Sequence, residues 1–185
     1  MVLNISKTNL EGVYTYAATP FIDERGSFSR LFCAKELAEI LGDRQIVNIN
    51  QSTNTHKGTV RGLHYQNPPF AEMKIVRCTQ GKIFDVAVDI KKDSPTFLQW
   101  IGVELSPENG VAIIIPEGFA HGFQALEANS TVSYCVTQYY NTTADSVINP
   151  QDPSIAIDWP LKPDHMSKKD AGCAFIDESF TGLEL

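Results

Sequence analysis

The sequence predicts an all-β fold in one domain. Short apolar and β-branched runs recur at close spacing, and turn-forming segments such as "TQGK", "KKDSPT" and "SPENG" separate them. Many short strands with frequent turns are typical of antiparallel sandwiches and barrels. The chain has 185 residues, with no internal repeat and no interdomain linker. We therefore expect residues 1–185 to form a single domain around one core.

Nine apolar or β-branched runs predict strands. Each run has strand length, is rich in β-branched or aromatic residues, and is bounded by turn signals or polar residues. They are "GVYTYAAT" (12–19), "QIVNINQS" (45–52), "GTVRGLHY" (58–65), "MKIVRCTQ" (73–80), "KIFDVAVDI" (82–90), "FLQWIGVEL" (97–105), "VAIIIP" (111–116), "GFQALEA" (122–128) and "STVSYCVTQYY" (130–140).

One segment clearly predicts a helix. "CAKELAEILG" (33–42) places Leu37, Ile40 and Leu41 on one face and ends at Gly42, the residue type preferred just past a helix. The later segment "NPQDPSIAIDWPLKPDHMSKKDAG" is rich in proline and polar residues. It predicts an irregular C-terminal region with a short helix at "SKKDA".

Composition excludes several classes of protein. Hydrophobic residues make up 43% of the chain and charged residues 20%, which is typical of a globular domain. The formal charge of −7 argues against general nucleic-acid binding, which needs a basic surface. No apolar stretch has membrane-spanning length and the first residues do not resemble a secretory signal, so we expect a cytoplasmic protein.

The four cysteines lack the paired spacing of zinc ribbons and redox motifs. We expect reduced and mostly buried thiols, as is usual for small apolar side chains in the cytoplasm. They are Cys33, Cys78, Cys135 and Cys173.

The segment "GVAIIIPEGFAH" (110–121) resembles the second sequence signature of the cupin superfamily, a group of small antiparallel β-barrels. An apolar strand enters the core, Pro116 and Gly118 make a turn, and the next strand carries His121 inward. A histidine at such a position is more often structural than a ligand. This segment alone does not predict a metal site.

The segment "VRGLHYQ" (60–66) departs from a metal-binding cupin. Such proteins present two histidines at alternate positions of a strand, whereas here His64 is followed by Gln66. A neutral amide is a weak ligand for transition metals, and two histidines are too few for a zinc site. We therefore expect no metal, with His64 acting as a general base. In a regular strand Arg61 faces away from His64, but a bulge at Gly62 would bring both inward.

Eight motifs in order resemble the dTDP-4-dehydrorhamnose 3,5-epimerase family, over roughly residues 10 to 175. They are "DERGSF", "GTVRGLHYQ", "MKIVRC", "FDVAVDI", "DSPTF", "PEGFAHGF", "SYCVTQYY" and "IDWPL". The resemblance implies a cupin-type double-stranded β-helix, also called a jelly-roll barrel. It also implies a homodimer in which N-terminal strands extend the partner's sheet.

The resemblance implies an isomerase that needs no cofactor and acts on a nucleotide-linked 4-keto-6-deoxy sugar. The ketone acidifies the neighbouring carbons C3 and C5, so a base on one side and an acid on the other can invert them through an enolate. The matching residues imply His64 as base and Tyr134 as acid, with Asp170 orienting His64. Lys74 matches the lysine that stabilises the enolate.

The same resemblance implies a set of substrate-binding residues. Arg25, Arg61 and Lys169 match cations that hold the diphosphate and sugar, and Asn50 and Ser52 match hydrogen-bonding partners. His121 matches a second pocket histidine, Tyr140 an aromatic ring that stacks on the base, and Asp145 an acidic residue of the nucleotide site.

Two positions depart from the family pattern. Arg30 stands where a glutamate that approaches the base is common, and Asn48 stands where a longer glutamine is common. A guanidinium only donates hydrogen bonds, so this change reverses the polarity of that contact. Either Arg30 faces the diphosphate or a base such as cytosine, or it points to solvent while stacking holds thymine.

Two alternatives to an epimerase remain at this stage. A sugar-nucleotide 3,4-ketoisomerase would use the same barrel and an enolate, but such relatives generally lack this arrangement of His64, Tyr134 and Asp170. A non-catalytic cupin that binds nucleotide sugars would have little use for a base, an acid and an orienting carboxylate together.

Overall fold

The computed structural model describes residues 2–185 and contains thirteen strands and two short helices. Eleven strands form two antiparallel sheets. A six-stranded sheet has the order β1-β2-β10-β7-β12-β5, and a five-stranded sheet has the order β13-β6-β11-β8-β9. The remaining strands, β3 and β4, pair as a separate hairpin. The sequence therefore predicted the all-β class correctly.

The elements have the following bounds. The strands are β1 (Leu3–Lys7), β2 (Tyr14–Ala18), β3 (Phe21–Asp23), β4 (Gly26–Phe28), β5 (Asn48–Asn54), β6 (Val60–Gln66), β7 (Lys74–Gln80), β8 (Ile83–Asp89), β9 (Trp100–Leu105), β10 (Val111–Ile115), β11 (Phe119–Ala125), β12 (Ser130–Val136) and β13 (Asp145–Val147). The helices are α1 (Ala38–Leu41) and α2 (Lys168–Gly172).

Each predicted strand segment overlaps an observed strand, although β11 begins three residues before its predicted start, and four strands were missed. β1 is mostly polar, whereas β3, β4 and β13 have only three residues each, too few for a periodic pattern. The predicted helix is shorter than expected, because residues 34–37 form turns before α1 begins. Its predicted apolar face is correct, since Leu37 and Leu41 are buried and Ile40 packs beside them.

The space between the two sheets is filled at one end by apolar side chains. Successive side chains of a strand point to opposite faces, so alternate residues enter this space. Val76 and Cys78 of β7, Val132 of β12 and Ile83 of β8 meet there and are almost fully buried. Farther along the same inward faces stand Lys74 and Tyr134, which line a cavity instead of the core.

The outer face of each sheet is covered over its central strands. Leu37 and Leu41 pack with Ile75 and Ile114 on the six-stranded sheet. The irregular C-terminal segment packs on the five-stranded sheet in the same way, with Ile155 and other apolar residues contacting that sheet's second face. Because both faces of these central strands are shielded, their sequences are largely apolar, whereas the edge strands β1 and β5 are more polar and exposed.

The predicted irregularity at Gly62 is present. His64 of β6 pairs with His121 of β11, whereas Arg61 pairs with Phe123, so three steps along β6 match two along β11. Gly62 has φ +128°, and a Cβ there would lie 2.5 Å from the Gly122 Cα. The extra residue turns Arg61 and His64 toward the same cavity. The close approach of β6 and β11, here called the crossing, thus requires glycine at residue 62.

All four cysteines are free thiols. Cys78 is buried, but the other three are only half-buried, so the expectation that they are mostly buried was too strong. Among residues 2–185, neither helix is long and apolar enough to span a bilayer.

Substituting Gly62 with alanine tests this crossing. The new Cβ would lie 2.8 Å from the His121 carbonyl oxygen, at a backbone angle that side chains rarely adopt. We expect the free energy of unfolding to fall by about 3 kcal/mol, as for other overpacked or strained sites. Urea denaturation measures this loss.

Gly172→Ala is the matched control, because a Cβ at Gly172 would meet no atom within 4 Å. Its free energy of unfolding should stay within about 0.5 kcal/mol of the wild type. Equal stabilities for the two variants would refute the close approach of β6 and β11.

Candidate active site

A cavity of about 540 Å³ lies between the two sheets, beside the apolar core. Its lining includes twelve of the predicted site residues. They are His64, Tyr134, Asp170, Lys74, Asn48, Asn50, Ser52, Arg61, His121, Tyr140, Asp145 and Lys169. The fold thus collects side chains from six strands, one helix and one loop into one cavity.

The two sheets supply opposite walls of this cavity. Tyr134 of β12 and Lys74 of β7 come from the six-stranded sheet, whereas His64 of β6 and His121 of β11 come from the five-stranded sheet. A molecule in the cavity would therefore meet an imidazole on one side and a phenol on the other.

His64 and Asp170 form a hydrogen-bonded pair. The Nε2 atom of His64 lies 2.9 Å from Oδ1 of Asp170, whose side chain is only 4% exposed. Ser167 caps helix α2 by accepting from the Asp170 N–H, and Oδ2 of Asp170 accepts from the Gly62 N–H. The carboxylate therefore has little freedom to rotate, and it fixes the ring orientation of His64.

The pKa of the Asp170 carboxyl lies below its usual value. Burial raises this pKa, but the hydrogen bond and charge of His64, together with the donors Gly62 and Ser167, outweigh the effect of burial. Asp170 is therefore a carboxylate at neutral pH, which suits it to hold Nε2–H and to stabilise an imidazolium.

His121 also has a carboxylate partner, Asp85, which was not predicted from the sequence. Its Nε2 atom lies 2.9 Å from Oδ2 of Asp85, and Asp85 is fully buried. Burial raises the pKa of Asp85, while His121 and the cation of Lys74 oppose that rise. The other oxygen of Asp85 has no hydrogen-bond partner within residues 2–185. His121 is thus held at the floor of the cavity by a carboxylate beneath it.

Lys74 is nearly buried and makes two polar contacts. Its Nζ lies 3.2 Å from Oε1 of Glu72 and donates to the carbonyl oxygen of His64 at 3.3 Å. An ammonium group has three N–H donors, so one remains for a group in the cavity.

Tyr134 contributes a phenol whose pKa is raised. Burial is the main cause, and the negative charge of Glu72 adds to it, while Arg61 acts in the opposite direction. The phenol therefore keeps its proton at neutral pH, as a proton donor requires.

Three side chains at the cavity rim form one polar cluster. Asp145 accepts a hydrogen bond from the Tyr140 hydroxyl at 3.0 Å and also pairs with Lys169. Burial raises the pKa of Asp145, but the bonds from Lys169 and Tyr140 outweigh it and the net pKa is lowered. The ring of Tyr140 is 66% exposed, which leaves its face open to a flat ligand.

Arg61 and Ser52 present polar atoms to the cavity. The Nε of Arg61 donates to Oδ1 of Asn54 at 2.7 Å, and Asn54 is itself buried against β12. Arg61 is thus anchored through Nε, and it lines the cavity. Ser52 also lines the cavity, and its buried hydroxyl has no hydrogen-bond partner within residues 2–185.

Two predicted residues do not reach the cavity of this chain. Arg25 lies at the tip of the β3–β4 hairpin, where it is exposed and pairs with Asp23. Arg30 pairs with Glu36 at 2.6 Å, and Glu36 also accepts the Leu3 N–H. Arg30 therefore takes part in holding the N-terminal strand. The hypothesis that it contacts the diphosphate or the base gains no support from this geometry.

Gln66, Glu72 and Asp85 contribute to the site but were not predicted as site residues. Gln66 accepts from the Asn141 N–H at 2.7 Å and donates to the carbonyls of Phe70 and Tyr139. Gln66 thus fastens the loop that carries Tyr140. The position of Gln66 two residues after His64 was noticed in the sequence, but its loop contacts join residues too distant in sequence to be read from a pattern.

The comparisons with known proteins agree on one family. The family model for dTDP-4-dehydrorhamnose 3,5-epimerase matches residues 7–178. A dTDP-4-dehydrorhamnose 3,5-epimerase of Shigella flexneri is 43% identical, over 96% of this chain and 99% of its own.

Two solved structures are similar over nearly the whole chain. A dTDP-6-deoxy-D-glucose-3,5-epimerase of Legionella pneumophila, in complex with dTDP-4-keto-L-rhamnose, has a TM-score of 0.90 and 40% identity, covering 99% of both chains. A dTDP-4-dehydrorhamnose 3,5-epimerase of Bacillus anthracis with TDP and PPi bound has a TM-score of 0.90 and 36% identity. It covers 95% of this chain and 100% of its own.

Replacing Gln66 with methionine tests its role in the loop. The substitution keeps the length of the side chain but leaves one N–H and two carbonyl groups without their partner. We expect the free energy of unfolding to fall by about 1–3 kcal/mol. Faster hydrogen exchange at residues 139–141, measured by mass spectrometry, should accompany the loss.

The exposed Gln99 serves as control, because Gln99→Met removes no comparable side-chain bond. A Gln66→Met protein with unchanged exchange at residues 139–141 would contradict the assignment.

Proposed function

The chain belongs to the dTDP-4-dehydrorhamnose 3,5-epimerase family, and on that basis we propose that its cavity binds a dTDP-linked 4-keto-6-deoxyhexose and inverts C3 and C5. The protein is an isomerase, and His64 and Tyr134 carry the two proton transfers. The observation that carries this proposal is their placement on opposite walls of one cavity.

His64 is the base. Its Nε2 faces the carboxylate of Asp170, so in the neutral ring Nε2 carries the hydrogen and Nδ1 holds the lone pair. Nδ1 removes a proton from the carbon beside the ketone, and the electron pair of the C–H bond moves into an enolate. Asp170 then stabilises the imidazolium that forms.

Tyr134 is the acid. The phenol returns a proton to the opposite face of the same carbon, which closes the enolate to a ketone with inverted configuration. Both C3 and C5 neighbour the C4 ketone, so both are acidified by the same carbonyl group. One base and one acid can therefore serve both centres if the sugar is repositioned between steps.

Lys74 stabilises the charge of the enolate. Its third N–H can donate to the enolate oxygen, and its contacts with Glu72 and the His64 carbonyl hold the ammonium before substrate arrives. A donor that is already oriented stabilises charge without the cost of reorganisation. His121, fixed by Asp85, adds a second polar group on the other wall.

The polar cluster at the rim suits a nucleotide. The exposed face of Tyr140 can stack on a base, and Arg61 and Lys169 provide positive charge for the diphosphate. Relatives of this chain bind TDP or a dTDP sugar, which supports thymine as the base. The free thiols suit a reducing compartment, so we place the enzyme in the cytoplasm.

Solvent deuterium exchange into dTDP-4-keto-6-deoxyglucose tests the two proton transfers. We expect the wild type to incorporate deuterium at C3 and C5, and His64→Ala to reduce this incorporation by at least about 10²-fold because the base is lost. Tyr134→Phe should retain exchange but lose product of inverted configuration. Asp170→Asn should fold normally and exchange slowly, because an amide cannot hold the required tautomer of His64.

His56→Ala is the matched histidine control, since His56 is exposed and lies outside the cavity lining. It should exchange at the wild-type rate. Full deuterium incorporation by His64→Ala would contradict the assignment of His64 as the base. No incorporation by the wild type would contradict the proposed activity.

The active enzyme is also expected to be a homodimer. The β3–β4 hairpin exposes three large apolar side chains, Phe21, Ile22 and Phe28, and it carries Arg25. Strand β5 forms one edge of the six-stranded sheet, exposes Ile49, and contributes Asn48 and Asn50 to the cavity. Docking the hairpin of one copy beside β5 of the other would cover both apolar surfaces and the open edge. Arg25 would then reach the cavity of its partner.

Mixing two inactive variants tests this arrangement. Arg25→Ala retains His64, and His64→Ala retains Arg25, so only a mixed dimer restores one complete site. If Arg25 acts on the neighbouring subunit, co-refolded equal amounts should recover about a quarter of the wild-type rate, because half the dimers are mixed and each has one intact site.

Each variant refolded alone is the control and should stay at its own low rate. No recovery in a mixture that sedimentation shows to contain dimers would exclude the arrangement, and a wild type that sediments as a monomer would exclude the dimer itself.

A further inference from the structure

Glu72 is a cavity residue that the proposed reaction leaves without a role. It lies just before β7, two residues ahead of Lys74, and its side chain is 13% exposed. Its carboxylate pairs with the Lys74 ammonium at 3.2 Å, and both side chains line the cavity. A carboxylate loses hydration when it is buried in this way, so its retention in the cavity calls for a compensating function.

The acid Tyr134 stands among several charged or titratable groups. They come from β6, β7 with the residues before it, β11 and α2, and they are Arg61, His64, Glu72, Lys74, His121 and Asp170. The same cavity is also lined by Tyr65 of β6, Asp145 of β13, Lys169 of α2 and the loop residue Tyr140, whereas the strand β5 beside Tyr134 contributes only the neutral residues Asn48, Asn50 and Ser52.

These surroundings create a conflict between two requirements. Positive charge from Lys74 and Arg61 stabilises an enolate or a diphosphate, but the same charge stabilises a phenolate. Cations placed for the substrate would therefore draw the proton off Tyr134. The positive charge near Tyr134 increases during turnover, because His64 becomes an imidazolium when it takes the substrate proton.

Glu72 has the position and charge to resolve this conflict. We propose that Glu72 is a positioning residue whose carboxylate holds Lys74 at the ketone end of the cavity and keeps the phenol of Tyr134 protonated among these cations. Burial is the main reason that the pKa of Tyr134 is raised, and the charge of Glu72 raises it further. This inference rests on the proposed function, in which Tyr134 is the proton donor.

Spectrophotometric titration of Tyr134 tests the proposal without any measurement of turnover. Tyrosinate absorbs near the red edge of the tyrosine band, and subtracting the titration of Tyr134→Phe isolates the signal of Tyr134. We expect Glu72→Gln to shift the midpoint of this signal toward lower pH, because the variant removes negative charge and leaves the charge of Lys74 uncompensated.

Glu104→Gln is the matched control. Glu104 also pairs with a lysine, Lys82, at 3.1 Å, but this pair is exposed and lies outside the cavity lining. Its removal should leave the Tyr134 titration unchanged. Glu72→Asp, which keeps the charge, should return the midpoint toward the wild-type value even if Glu72→Gln is less stable.

The rate should show the same effect. We expect the ratio of wild-type to Glu72→Gln kcat to increase as pH rises, because the variant loses its proton donor earlier. In a Tyr134→Phe background, which still exchanges deuterium, the corresponding ratio of exchange rates should be independent of pH. Superimposed titrations of the wild type and Glu72→Gln would overturn the proposal. If the midpoint shifts but no variant or wild type turns over a dTDP sugar, the proposed function fails while the electrostatic coupling stands.

Discussion

The close approach of β6 and β11 at Gly62 and Gly122 is the constraint on which the site depends. Without a side chain at either residue, the backbones come near enough for the register to shift by one residue. Arg61 and His64, which a regular strand would place on opposite faces, then line one cavity. The Gly62 N–H also donates to Asp170, so the same crossing positions the carboxylate that orients His64.

The apolar core and the candidate active site lie in the same space between the two sheets. Val76 and Val132 fill one end, while Lys74 and Tyr134 occupy the next inward positions of the same strands. Rigid core packing at one end therefore sets the positions of polar groups at the other. Buried polar groups are costly unless they are paired, and here Asp170, Asp85 and Glu72 each pair with a cavity residue.

The alternation of apolar residues and the turn residues predicted the strands of both large sheets, except β1 and β13. The order of the motifs predicted most of the residues that line the cavity. These features are local, so they can be read along the chain. The placement of Arg25 and Arg30 was not predictable, because it depends on where the β3–β4 hairpin projects. The roles of Asp85, Gln66 and Glu72 were missed because each depends on which groups the folded chain brings around it.

The charges of the cavity bear on the proposed homodimer. Arg61, Lys74 and Lys169 line it together with Glu72, Asp145 and Asp170, so three cations face three carboxylates. Two of these cations are already paired, Lys74 with Glu72 and Lys169 with Asp145. A diphosphate brings further negative charge into a cavity that has no excess of positive charge. This balance supports the proposal that Arg25, whose side chain is 83% exposed on an apolar hairpin, adds a cation to the site of a neighbouring chain.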